Sequence, residues 1–439
     1  MNFSTADKKS ALSARKQLWL LTFAHAVVDT YALILPHLLP LLLRKFAIPM
    51  ASWDRLTGII IAVSAAFNSL NQVTFGFLSD RIRTIHILTF GIAVTAVCTS
   101  LLGVAPTFFL LLVLLAIGGL GVAAFHPQAA VQAASLAKQG KGFGVSLFIT
   151  GGNVGQAVGP FCIMLLLSRS FPDFWHRSET HHGLNWLIWC VIPGLAVALL
   201  VGKALTLQPT GETVSASGES GVKKARFGQL LKPNLVPLII LYLITTLRTV
   251  TTLGLVNFLS LELDAQGYPN LVRSAVIAIF TFAGSMGIMV GGWLSDRLNR
   301  YVLLLFSLLV APPLFYTALH LLANSSHTIG LLFWGFNILL FAGNFILSSS
   351  ITVNIVLSQE SLPGHENIAS SFMMGAAWGV AGFLNYPVSL LSDRFGRMGL
   401  LNRLALLPLL TSVLMIFLKL PILIAFLKRN RGQLKTDSA

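Results

Sequence analysis

Long apolar runs of roughly 20–30 residues alternate along the chain with short polar or Gly/Pro-containing breaks. The cleanest run, Leu18 to Leu43, contains one formal charge, Asp29. About 20 apolar residues carry a helix across the ~30 Å hydrocarbon core of a bilayer. Runs of that length predict twelve helices, at 17–43, 56–79, 84–104, 107–136, 143–167, 184–207, 233–261, 272–294, 301–323, 327–357, 367–391 and 399–427. The alternating ten-residue segments of a transmembrane barrel are not seen. The predicted class is an all-α membrane protein with twelve transmembrane helices. The longest break, 208–232, reads QPTGETVSASGESGVKKARFGQLLK and lies at mid-chain. It is Ser/Gly-rich and then basic, which predicts a linker between a six-helix unit over 1–207 and another over 233–439.

Composition agrees with this pattern. Hydrophobic residues make up 55% of the chain and charged residues 10%, where a soluble domain carries about 25% charged. The net charge of +15 suggests nucleic acid at first sight. The basic residues form no single patch with interleaved aromatics, so a nucleic-acid partner is not expected. They follow membrane sidedness instead. With the N-terminus in the cytoplasm, 18 Lys and Arg fall in inner segments and 9 in outer ones. Both termini are therefore expected in the cytoplasm, with 208–232 on the same side. The segment SDRFGR, 392–397, runs against the bias by falling outside. The N-terminal basic residues precede a run too long for a signal peptide, and no small-residue cleavage site follows, which predicts an uncleaved first helix. Cys98, Cys162 and Cys190 all lie in apolar runs and suggest neither a disulfide framework nor a thiolate metal site. No GxxxxGK[ST], HExxH or GxSxG occurs. Neither ATP hydrolysis in this chain nor enzymatic activity is expected, and no cofactor is predicted.

One charged hexapeptide occurs twice. GFLSDR spans Gly76 to Arg81 and GWLSDR spans Gly292 to Arg297, about half a chain apart. Each follows the second helix of its half. Gly76 and Gly292 permit close helix approach. Ser79-Asp80 and Ser295-Asp296 are placed to cap the next helix. Arg81 and Arg297 sit at headgroup level, where they can pair with an acid or a phosphate. These residues resemble the loop signature of the major facilitator superfamily. The resemblance implies two pseudo-symmetric six-helix bundles around a central cavity, and a latch formed by Gly76, Asp80, Arg81, Gly292, Asp296 and Arg297. Three further stretches, GVAAFHPQAA at 121–130, GKGFGVSLFITGGNVGQAVGP ending at Pro160, and SQESLPG at 358–364, are similar to segments of the fosmidomycin resistance protein group. That group comprises bacterial proton-driven exporters, so this resemblance implies residence in a bacterial inner membrane.

Several residues inside the runs carry candidate chemistry. Asp29 lies about 18 Å from the cytoplasmic end of its helix at 1.5 Å per residue. A charge at that depth costs ~2.5–3.5 kcal/mol and faces a cavity or a partner. His25, one turn earlier, can share or relay a proton with it. Arg248, deep in the seventh helix, can hold an anionic group or pair with Asp29 when no substrate is bound. His126 precedes Pro127 in the fourth helix and is a third proton-coupling candidate, although a packing role is equally open to it. Gln156 and Asn344 are candidate substrate contacts among the polar residues within runs, which include Asn68, Asn71, Gln72, Asn337 and Asn385. Gly151, Gly155 and Gly159, spaced by four and ending at Pro160, mark one face of the fifth helix for close packing or sliding. That segment also resembles the fifth-helix antiporter signature of exporters. His176, Glu179, His181 and His182 suggest no more than a solvated outer loop, and no metal site is expected.

The expectation is a monomeric secondary active transporter in which a proton gradient drives antiport of a small amphipathic or anionic compound. Asp29 couples the proton and Arg248 recognises the anion. A symporter taking up an organic acid or a metal chelate is the alternative on the same fold. A non-transporting sensor or scaffold is a second alternative, but it gives no reason for an acid within the first helix.

Overall fold

The computed structural model describes residues 5–78, 84–136, 141–168, 182–205, 227–325, 328–363, 368–369 and 372–436. These are overwhelmingly helical and include no strand. The first hexapeptide from Ser79 onward, most of the predicted linker, and His176, Glu179 and His181 lie outside the described residues.

The first predicted helix is two. α1 (Thr5–Ala32) and α2 (Leu35–Lys45) are separated at Leu33 and Ile34. Pro36, in the first turn of α2, has no N–H to donate and crowds the preceding turn, so the ladder breaks ahead of it. The break lies one turn beyond Asp29. The second span is α3 (Trp53–Ala65), a π-helical turn over Ala66–Leu70, and α4 (Asn71–Leu78). α5 (Thr84–Leu101), α6 (Phe108–Leu136), α7 (Lys141–Ser168) and α8 (Val191–Leu205) complete the first set. The second set is α9 (Phe227–Ala265), α10 (Asn270–Ser295), α11 (Arg300–Ala323), α12 (Leu331–Ser361), α13 (Ala377–Ser389) and α14 (Leu391–Thr436). Eleven stretches among the described residues are long and apolar enough to span a bilayer. The predicted span 367–391 appears as a π-helical turn, Phe372–Ala376, continued by α13.

α1 packs on α7, and α5 packs on α6 and α8. α12 is flanked by α10 and α11, and α14 packs on α9 and α11. The two sets meet where α3 lies along α13, α7 along α10 and α2 against α9. The α3–α13 approach depends on glycine. A Cβ at Gly382 would fall 2.0 Å from that of Ala65, so any side chain there would force the helices apart.

The end of the molecule opposite the hexapeptides, called outer below, holds a seam of ion pairs between the sets. Arg44 at the end of α2 is bidentate on Asp264 near the end of α9. Arg273 of α10 donates to the same carboxylate at 2.5 Å. Arg55 of α3 holds Asp393 at 2.6 Å, and Arg397 of α14 holds Asp54 of α3 at 2.6 Å. Asp54-Arg55 and Asp393/Arg397 thus exchange charges reciprocally. The segment 392–397, expected as a loop, belongs to α14, whose helix breaks only at Gly396 with φ 68°. Four of the arginines that opposed the sidedness rule thus answer acids here: Arg44, Arg55 and Arg397 across the seam, and Arg273 within the second set.

Candidate proton and substrate site

His25 and Asp29 are four residues apart on α1, so their side chains share one face. Both are buried, Asp29 to 2% exposure. His25 Nε2 lies 3.3 Å from Asp29 Oδ2. From α6, His126 Nε2 approaches Asp29 Oδ1 at 3.1 Å. From α7, the Gln156 amide donates to Asp29 Oδ2 at 2.7 Å. His25 is anchored behind by the backbone carbonyl of Phe148, 2.8 Å from Nδ1, and its ring stacks on the Phe148 ring with centroids 4.0 Å apart. Four of the sequence candidates, His25, Asp29, His126 and Gln156, therefore form one cluster.

The contribution of α7 is a single face. Phe148, Gly152 and Gln156 are spaced by four, as a helix face requires. A Cβ at Gly152 would sit 2.4 Å from His25 Cε1 and 2.7 Å from Asp29 Oδ2. Only glycine lets α7 close over the acid. Sequence reading picked out Gly151, Gly155 and Gly159 and passed over Gly152, although its four-residue spacing from Gln156 was a readable signal. The stripe itself packs on α1: Gly151 against the Thr22 carbonyl, Gly155 against that of Ala26, Gly159 against the Thr30 side chain. Pro160 is accommodated within the continuous α7. One nitrogen each of His25 and His126 and a carboxylate oxygen of Asp29 lie within 4.8 Å of one another. Gln156 adds an N–H donor to the shared carboxylate, a set of contacts suited to holding protons.

Arg248 lies on α9 and is 2% exposed. Its Nε and Nη1 have no hydrogen-bond partner among the described residues. Threonines precede and follow it on the same helix, but Thr245 and Thr249 bond back to carbonyls one turn earlier. The expected pairing of Arg248 with Asp29 is not formed. The contacts of Asp29 are His25, His126 and Gln156.

Asn344 donates to the Phe280 carbonyl at 2.7 Å and accepts from Ser348. It ties α12 to α10. Asn337 and Asn385 bond carbonyls four residues earlier on their own helices. Asn68 joins Tyr31, Ser64, Thr95 and Thr99 around a small cavity of about 30 Å³ between α1, α3, α5 and α6. At the second hexapeptide, Gly292 lies beside Thr352 of α12, and Arg297 stacks over Trp293 at 3.8 Å. Ser295 and Asp296 do not cap the next helix. Ser295 bonds the Gly292 carbonyl, and Asn299 accepts from Tyr301 and Val302 at the start of α11. Asn299 is one residue before the helix, where an N-cap must sit. At the first hexapeptide, Gly76 falls within α4, while Asp80 and Arg81 are outside the described residues.

Residues 18–367 match the Major Facilitator Superfamily. The chain belongs to this family. It is 25% identical over 398 residues to the uncharacterized MFS-type transporter YfnC of Bacillus subtilis (strain 168), covering 90% of each chain. It is 24% identical over 407 residues to the fosmidomycin resistance protein of Escherichia coli (strain K12), covering 91% of each. The fold is that of a D-xylose–proton symporter, with a TM-score of 0.70 at 14% identity over 91% of this chain and 96% of the other. A bacterial homolog of the human lysosomal transporter Spinster, solved inward-facing and occupied, gives 0.68 at 14% identity over 92% and 96%. The protein is thus a multi-pass membrane transporter of the secondary type, not an enzyme.

Proposed function

We propose that the protein is a proton-coupled antiporter exporting a small amphipathic or anionic compound from the bacterial cytoplasm. The observation that carries this reading is the buried carboxylate of Asp29, held by His25, His126 and Gln156, in a chain that also buries Arg248 with two nitrogens unpartnered. A buried acid–histidine cluster can take up and release protons within the membrane. A buried guanidinium with free donors suits the planar, bidentate recognition of an anionic group. Similarity along nine-tenths of the chain to a fosmidomycin resistance protein supports the outward direction. The six-helix units 1–207 and 233–439 are the bodies that rock, with both termini in the cytoplasm and the chain acting as a monomer in the inner membrane. The two hexapeptides, through Gly76, Asp80, Arg81, Gly292, Asp296 and Arg297, latch the inner side. Opening outward requires the seam of Arg44, Arg55 and Arg397 with Asp264, Asp393 and Asp54 to part.

The test uses inverted membrane vesicles acidified inside and loaded with a pH-quenched dye. Fosmidomycin is added first, followed by a panel of small organic anions. Antiport is read as dequenching that requires the protein and is lost in Asp29→Asn. Uptake of a panel compound into the vesicles with no proton movement would contradict the reading.

A further inference from the structure

The cluster around Asp29 specifies where its protons sit. A backbone carbonyl only accepts hydrogen bonds, so His25 Nδ1, 2.8 Å from the Phe148 carbonyl, carries a hydrogen. That anchors the ring and directs Nε2 at Asp29 Oδ2, 3.3 Å away. Without a proton between them, the Nε2 lone pair faces a carboxylate oxygen. The pair therefore shares one proton, and the neighbours of Asp29 decide which atom holds it. Oδ2 also accepts the Gln156 amide at 2.7 Å, and Oδ1 accepts His126 Nε2 at 3.1 Å. A proton on Oδ2 would make that oxygen a weaker acceptor for the Gln156 amide, whereas a proton on His25 Nε2 leaves both oxygens of an anion facing three donors.

Resting on the proton-coupling reading above, we propose that the exchanged proton is carried by His25 on Nε2. Asp29 remains an ionised counter-charge throughout, and Gln156 is a positioning residue that keeps it so. When Nε2 releases its proton, the cluster changes from neutral to singly negative, with only Gln156 and His126 still donating. Among the described residues, the titratable side chain from another helix that reaches the pair is His126 of α6, and the α7 face over it is Phe148, Gly152 and Gln156. α5 and α8 also pack on α1, but their His86 and Lys203 line a separate groove with Thr89 and Gly202.

The experiment is an infrared pH titration of the purified full-length protein with ¹³C-labelled aspartate, compared with Asp29→Asn, His25→Gln and Gln156→Leu. In the wild type, no C=O stretch of a protonated carboxyl assignable to Asp29 is expected at any pH at which the protein stays folded. An imidazole band should titrate and be lost in His25→Gln. Gln156→Leu, which keeps volume and removes the donor, should make a protonated Asp29 band appear; a purely structural role for Gln156 would alter the melting temperature without producing that band. A wild-type acid band that disappears in Asp29→Asn overturns the proposal. Should His25→Gln not fold, ¹⁵N chemical shifts of labelled histidine in the wild type report Nε2 protonation directly, and an Nε2 of His25 that stays unprotonated at all pH values also overturns it. The vesicle assay keeps the two readings apart. Absent dequenching with a titrating histidine removes proton coupling alone, whereas dequenching with a titrating Asp29 removes this proposal alone.

Discussion

Asp29 in the first span and Arg248 in the seventh are both 2% exposed, yet their surroundings differ. The carboxylate is filled by three donors from three helices, while the guanidinium keeps two nitrogens without a hydrogen bond among the described residues. A buried charge without partners costs several kcal/mol, and a protein tolerates one where something else completes it. The first half has therefore built a self-contained charge site, and the second half an incomplete one. In the proposed function the proton, which needs no more than the residues present, belongs to the first half, and the anion, which would come from outside the chain, to the second.

The contrast yields opposite expectations for removing each charge. Asp29→Ala leaves two histidines and an amide facing a void and should destabilise the protein by ~3–5 kcal/mol, a lowered melting temperature in detergent. Arg248→Met, similar in length and apolar, should leave the melting temperature unchanged or raise it. It should also weaken binding of an anionic substrate by ~2–5 kcal/mol, read by calorimetry or thermal shift with the compound identified in vesicles. A large stability loss for Arg248→Met would make that arginine structural and erase the contrast. Next in size, Gly152→Ala drives a methyl into His25 and Asp29 and should cost ~1–3 kcal/mol, as overpacking does. Gly202→Ala, whose added Cβ meets nothing closer than 3.5 Å, is the control and should be nearly silent in the same melt.

The outer seam permits a finer comparison. Asp264 is almost fully buried and holds both Arg44 and Arg273, so Asp264→Asn should increase cysteine labelling from the outside at a position lining the α2–α9 contact. The Arg55–Asp393 pair is largely exposed and screened by solvent, so Asp393→Asn should shift labelling little. Equal effects would show that the seam acts as one unit.

Much of this was readable in the residues. Run lengths marked most of the stretches apolar enough to span a bilayer, eleven among the described residues. The four-residue spacing of His25 and Asp29 gave half of the site. His126 and Gln156 were visible as polar residues in apolar runs, but periodicity cannot show that α6 and α7 converge on α1. Asn344 is likewise a polar residue in a run, and its amide ties α12 to α10, a contact that periodicity does not reveal. Pro36 signalled a break whose location beside Asp29 emerged only in the fold. The outer arginines looked like violations of sidedness because their partners, Asp54, Asp264 and Asp393, are distant in sequence.

The central claim is that Asp29 and its histidines couple proton movement to transport. The most direct measurement is substrate-dependent proton efflux from acidified inverted vesicles, comparing wild type with Asp29→Asn at matched protein levels. The account predicts dequenching on compound addition in the wild type and none in Asp29→Asn, with the variant still folded by its melting curve. Undiminished dequenching in Asp29→Asn would place the coupled proton elsewhere and contradict the account.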